Sequence, residues 1–155
     1  MEYQLDAIDK RIIQLLQQDA KMKMKEIAEA LHMTTTPIFE RIKRLEQQEF
    51  IKGYTAVVDK KKVGFGLMAF CSVSLEKHHE DNIEKFVAEI NALPEVLECY
   101  HIAGMFDYLL KIIVKDMNDY QHFLTRKLAK VKNIGKVQSS FVMTEIKQEQ
   151  VYKLV

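Results

Sequence analysis

The chain has 155 residues, 48% of them hydrophobic and 29% charged, which is enough apolar material for a packed core and excludes intrinsic disorder. Its 23 basic and 22 acidic side chains leave a net charge of +1, with 10 and 10 in residues 1–60 and 13 and 12 in residues 61–155. No domain-wide basic field exists, so any binding of nucleic acid has to rest on a small patch. No apolar run approaches the ~20 residues that a spanning helix needs, and the polar start MEYQLDAIDKR lacks the apolar centre of a signal peptide. The expected location is cytoplasmic. Cys71 and Cys99 lie far apart in apolar runs, which excludes a disulfide framework and a cysteine-based zinc site and makes them two buried thiols.

The first 50 residues read as three helices. Leu5, Ile8, Ile12, Leu15 and Leu16 recur at helical spacing. Asp6 can cap that helix, and Asp9 adds negative charge to its first turn. A short second helix covers about Met24 to Leu31, with Ile27, Ala28 and Leu31 on one face. After His32-Met33, the run Thr34-Thr35-Thr36-Pro37 reads as a helix start with proline in the first turn, where its missing N–H costs little. Ile38, Ile42 and Leu45 form the buried stripe of this third helix, and Arg41, Lys43 and Arg44 lie off it.

From Phe50 the pattern changes. FIKGYTAVVD reads as a turn into an extended segment, and Lys60-Lys61-Lys62 with Gly64-x-Gly66 make a loop. The remainder reads as strand (67–76), helix (80–92), strand (96–102), strand (108–114), helix (116–131) and strand (136–146). That βαββαβ order belongs to a ferredoxin-like sandwich, an antiparallel sheet with two helices on one face. The expected class is therefore α+β: an N-terminal helix-turn-helix, winged-helix-like domain followed by the βαββαβ sandwich. The expected boundaries are 1–52, a linker strand and loop over 53–66, and 67–155.

Two helices joined by a tight turn, the second opening in small polar residues, have the shape of a helix-turn-helix. The second helix of such a pair enters the major groove of DNA, and its N-terminal residues reach base edges. Thr34, Thr35 and Thr36 occupy that end. One of them is expected to cap the helix, which leaves two to read DNA; Phe39 and Glu40 point to the same end. Arg41, Lys43 and Arg44, with Lys25 on the preceding helix, are placed for phosphates. A plainer reading also fits, a three-helix bundle whose basic side chains form a solvated face, and the near-zero net charge favours it.

The ordered motifs match a known family. LDAIDKRIIQLLQQDA followed by KEIAEALHMTTTPIFERIKRLEQQEFIKGYTAVVD resembles the N-terminal half of the Lrp/AsnC, or feast/famine, transcriptional regulators. The matching pieces are Leu5-Asp6 with Asp9, Ile27-Ala28, Thr34, Arg41 to Glu46, and Ile51 with Gly53-Tyr54. PEVLECYHIAGMFDYLLKI and SSFVMTEIK resemble the second half. Glu49-Phe50 departs from the family pattern, which usually has glycine at that helix end.

The resemblance implies DNA binding as dimers, a C-terminal RAM domain (regulation of amino-acid metabolism) that dimerises and often builds octamers, and an amino acid or similar metabolite bound between RAM domains of adjacent subunits. Carried over by motif, the effector site uses Gly104, Asp107 and Tyr108 in the loop after the second strand, with Val137 and Ser139 from the last strand. Asp107 is suited to an ammonium, the Gly104 N–H to a carboxylate and Ser139 to a further hydrogen bond, with Met105 or Ile102 as apolar walls. Gly104 and Asp107 also fit an ordinary turn between strands.

The five histidines show no metal-ligand spacing, and no nucleophile elbow or phosphate loop occurs. No metal, cofactor or enzymatic activity is expected. Two other functions remain open at this level: a small enzyme or metabolite-binding protein built on the ferredoxin-like domain, and an effector-free architectural DNA-binding protein. Fold does not choose among them.

Overall fold

The computed structural model describes residues 3–149 and 151–154; positions 1, 2, 150 and 155, which fall inside the expected domains, lie outside the described residues. The chain forms two units, residues up to Val57 together with those from Lys147, and Val58–Ile146. The end of the chain thus returns to the first unit, whereas its sequence position groups it with 67–155.

In the first unit α1 spans Ala7–Gln18, α2 Met24–Ala30 and α3 Thr35–Gln47. Asp6 and Asp9 close a capping box at the start of α1, each carboxylate accepting from the other's backbone N–H at 2.8 and 3.2 Å. The turn between α2 and α3 is tight because the chain enters the left-handed region at His32 (φ 53°), and the N–H groups of His32 and Met33 return to the carbonyls of Glu29 and Ala28. That pair of bonds is a Schellman closure. Ile12, Leu15, Ile27, Ala28, Ile38, Ile42 and Leu45 are the core of this unit. The returning tail lies along α1, where the Gln17 amide donates to the carbonyl of Tyr152 at 3.2 Å and accepts from its N–H at 2.7 Å. Residues 52–58 form neither helix nor strand, because among the described residues the expected extended segment has no strand to pair with.

The second unit has β1 at Leu67–Leu75, α4 at Glu80–Asn91, β2 at Val96–His101, β3 at Tyr108–Val114, α5 at Met117–Arg126, a 3-10 turn at Leu128–Lys130 and β4 at Ile134–Phe141. The strands run β2-β3-β1-β4, all neighbours antiparallel. This is the ferredoxin-like order, with the helices on one face. Ala69, Cys71, Val73 and Leu75 alternate toward Phe86 and Ile90 of α4 and Tyr120 and Phe123 of α5. The opposite face carries Phe70, Ser72, Leu109 and Lys111, all half-buried, on the side away from α4 and α5.

Two elements differ in extent from the sequence reading. β4 starts at Ile134 and ends at Phe141, not 136–146: the paired register with β1 ends at Ala69↔Phe141, one further bond runs from the Val142 N–H to the Met68 carbonyl at 3.0 Å, and β1 itself begins at Leu67. The helix expected over 116–131 breaks after Arg126 into the 3-10 turn. Gly66 is required by a close approach: its N–H bonds the Lys115 carbonyl at 3.1 Å, and a Cβ there would lie 2.7 Å from that oxygen.

Candidate functional site

The first candidate surface is α3. Thr34 is its N-cap residue, but its hydroxyl does not cap, and Thr35 and Thr36 are exposed. The expectation that one threonine is spent on capping therefore does not hold; all three hydroxyls lack hydrogen-bond partners among the described residues. Lys43 is exposed beyond them, and Lys25 on α2 is exposed with only a loose 3.9 Å pair to Glu29. Phe39 is 51% exposed and turns toward a groove of about 440 Å³ that it lines with Leu16, Met22, Met24 and Tyr54.

The two arginines are placed differently from Lys43. The Arg41 guanidinium bonds Asp6 and Asp9, each at 2.7 Å, with most of its side chain covered. Asp9 is fully buried and also accepts from the Tyr3 hydroxyl at 2.5 Å. The Asp9 N–H holds the Asp6 carboxyl below its usual range, with further help from Arg41. Arg41 is thus an internal tie between α3 and the start of α1, with one guanidinium nitrogen, Nη1, shared between the two carboxylates, so the expected phosphate contact would compete with that tie. Arg44 sits over the Tyr3 ring, 5.0 Å from its centroid, and keeps an exposed edge. Local pattern does not announce the Arg41–Asp9 tie; its trace is the pairing of an LDxxD start with an arginine two helices later.

The second candidate surface lies around the end of β1. Gly104 has φ +152°, a backbone state that side chains rarely adopt, and the Ile102 N–H closes the loop onto the Asp107 carbonyl at 2.8 Å. One Asp107 carboxylate oxygen accepts from the Leu75 N–H at 2.7 Å, and the other meets His78 Nε2 at 3.0 Å. The Leu75 N–H first, then His78, hold its carboxyl below the ordinary range. His78 is a partner that the sequence reading missed, since nothing in its local pattern ties it to a residue 29 positions away.

Tyr108 is buried, stacked on His101 at 4.9 Å and tilted against Phe86 at 4.6 Å, so it is a core residue with little free surface. It stands opposite Val73, which on its other side faces Val137, 42% exposed. Ser139 faces Cys71, and its hydroxyl accepts from Tyr120 at 2.6 Å. Burial pushes the Cys71 thiol up and the Tyr120 hydroxyl to about 12, so both are neutral groups in a polar knot inside the core. The five expected effector residues therefore gather about the second half of β1. Gly104 and Val137 present open surface there, while Tyr108 and Ser139 are mostly engaged within the unit. Among the described residues no group of three or more His, Cys, Asp or Glu could hold a metal, and no helix is long and apolar enough to cross a membrane.

A helix-turn-helix joined to an antiparallel ferredoxin-like unit has the layout of a two-part DNA-binding regulator, and the family matches decide the class. Residues 5–46 match the AsnC-type helix-turn-helix domain and residues 68–152 the Lrp/AsnC ligand binding domain. The chain belongs to the Lrp/AsnC family of DNA-binding transcriptional regulators. It is 39% identical over 143 residues to the DNA-binding transcriptional activator DecR of Escherichia coli K12, covering 92% of this chain and 94% of that one. It is 36% identical over 144 residues to the leucine-responsive regulatory protein of Salmonella typhimurium, covering 93% and 88%. Among solved structures, a transcriptional regulator of Neisseria meningitidis in complex with L-Met superposes with a TM-score of 0.91 at 35% identity over 97% of both chains.

Proposed function

We propose that the chain binds DNA through the N-terminal end of α3 and an amino acid or close relative at the β2–β3 loop, and that the ligand alters its assembly or its hold on DNA. Thr34, Thr35 and Thr36 face the bases, and Lys25, Lys43 and Arg44 face phosphates. In the effector site Asp107 accepts the ammonium on the lone pairs left by Leu75 and His78, the Gly104 N–H faces the carboxylate, and Tyr108, Val137 and Ser139 shape the wall. The observation that carries this reading is the loop itself. It is held by Asp107 at both its backbone and its carboxylate, yet leaves Gly104 exposed, in a backbone state open to glycine and rarely to other residues. The L-Met complex of the Neisseria regulator supports the class of ligand.

The protein works as a homo-oligomer, a dimer able to assemble further toward an octamer. Support comes from the sheet face away from α4 and α5 and from residues 52–58, where Val57 is 89% exposed on a β-prone segment without a partner strand among the described residues. A second copy suits both. It acts as a regulator and not as an enzyme, in the cytoplasm, where its DNA lies.

A thermal-shift screen against the twenty amino acids, with size followed by light scattering, tests the effector half. A ligand at about a hundred times its Kd adds about 2.7 kcal/mol, which such a scan detects. A stabilising amino acid whose effect disappears in Asp107→Ala, with DNA binding intact, is the expected result. An unchanged response in that variant would remove Asp107 from the site.

A further inference from the structure

We infer that Glu40 is a base-reading residue, and that it selects cytosine at one position of each DNA half-site. The inference rests on α3 being the helix that enters the groove. Glu40 lies one turn after Thr36 and three residues before Lys43, all three exposed, so it shares their outward face. Phe39 beside it is turned toward the groove with Leu16 and Met22. The other acids of α3 and its end are accounted for or distant: Glu46 accepts from the Tyr54 hydroxyl at 2.8 Å, and Glu49 lies past the last turn.

Glu40 makes no hydrogen bond or ion pair among the described residues. The reason lies in its neighbours. Arg44, at the i+4 position where a helical ion pair would form, is drawn onto the Tyr3 ring, and Arg41 is drawn onto Asp6 and Asp9. A bare carboxylate on a face that approaches a polyanion weakens binding to every sequence unless it finds a donor. The major groove offers such donors only as the amino groups of cytosine and adenine. A carboxylate has acceptors alone, so adenine sets its N7 acceptor against it, while cytosine presents its N4 amino group without that conflict.

The test is in vitro selection from randomised duplexes with the full-length protein, Glu40→Gln and Glu40→Ala. The wild type is expected to select cytosine at one position per half-site, by roughly tenfold over other bases. Glu40→Gln, which gains a donor and can pair with adenine N6 and N7, moves that one position to adenine. Glu40→Ala loses the preference there and binds unrelated duplexes more tightly. Glu40 is exposed, so neither variant should fail to fold. If all three proteins select the same bases everywhere, and Glu40→Ala merely binds every duplex more tightly, Glu40 is only a repulsive charge and the inference fails. If the wild type selects no sequence at all, the role of α3 fails with it.

Discussion

Asp9 has no exposed surface, and its carboxylate is satisfied by the Tyr3 hydroxyl, the Asp6 N–H and the Arg41 guanidinium. Removing a partner from such a pair leaves a buried charge uncompensated, which costs far more than a surface ion pair contributes. Arg41→Ala is therefore expected to lower unfolding stability by about 2–4 kcal/mol, read as a fall in the urea midpoint. Lys43→Ala is expected to leave the midpoint unchanged and to reduce the salt slope of DNA binding by about one. If Arg41→Ala instead changes the salt slope at unaltered stability, the tie to Asp9 is not its role. The sequence makes the Asp6 cap legible because capping is local, from a residue to its own next turn. It hides the burial of Asp9, because an acid in a first turn is ordinarily a solvated partner of the helix dipole, and only the arrival of α3 covers it.

At the scale of elements, helix ends and strand ends decide the fold's accuracy. The ends of α2 and α3 both enter the left-handed region, at His32 and at Glu49 with φ 58°. Glycine reaches that region without a steric cost, so Glu49→Gly is expected to raise stability by about 0.5–1 kcal/mol, measured by the same denaturation. A loss of stability would mean that the Glu49 side chain contributes something its exposed position does not reveal. The register of β4 shows the converse limit. Val142, Met143 and Ile146 have strand-like character, but strand length is set by the partner, and β1 begins at Leu67, so pairing fades after the Val142 N–H reaches the Met68 carbonyl. Asp107 ties the end of β1 to the β2–β3 loop, and its folded carboxyl lies below the ordinary 3.8. Its contribution to stability is complete above 3.8 and is lost as pH falls from there through the lower folded value. The difference in urea midpoint between wild type and Asp107→Asn is thus expected to be largest near neutral pH and to shrink below about pH 4. A gap that is constant with pH would show that charge is not what Asp107 supplies.

For the whole molecule, the balance of charge sets how DNA is held. A chain at +1, whose N-terminal 60 residues carry equal numbers of acids and bases, has little sequence-independent attraction to phosphate. Arg41, spent on Asp6 and Asp9, reduces the free basic patch further. On the proposed homo-oligomer, affinity comes from several weak domains acting together, and linked binding of this kind can exceed a single domain by about 10²–10⁴. In that proposal copies meet through the sheet face away from α4 and α5, where Phe70 and Leu109 lie beside the 2.8 Å Lys111–Glu98 pair. Placing a charge there by Leu109→Glu is expected to give a monomer in light scattering, with the far-ultraviolet circular dichroism of the folded chain retained. The same variant should lose DNA affinity by about a hundredfold or more while still preferring the same bases, since each recognition helix is untouched. A variant that remains oligomeric would move the interface to another surface, such as the unpaired segment around Val57. A monomer that keeps full affinity would show that one helix-turn-helix unit suffices despite its neutral charge.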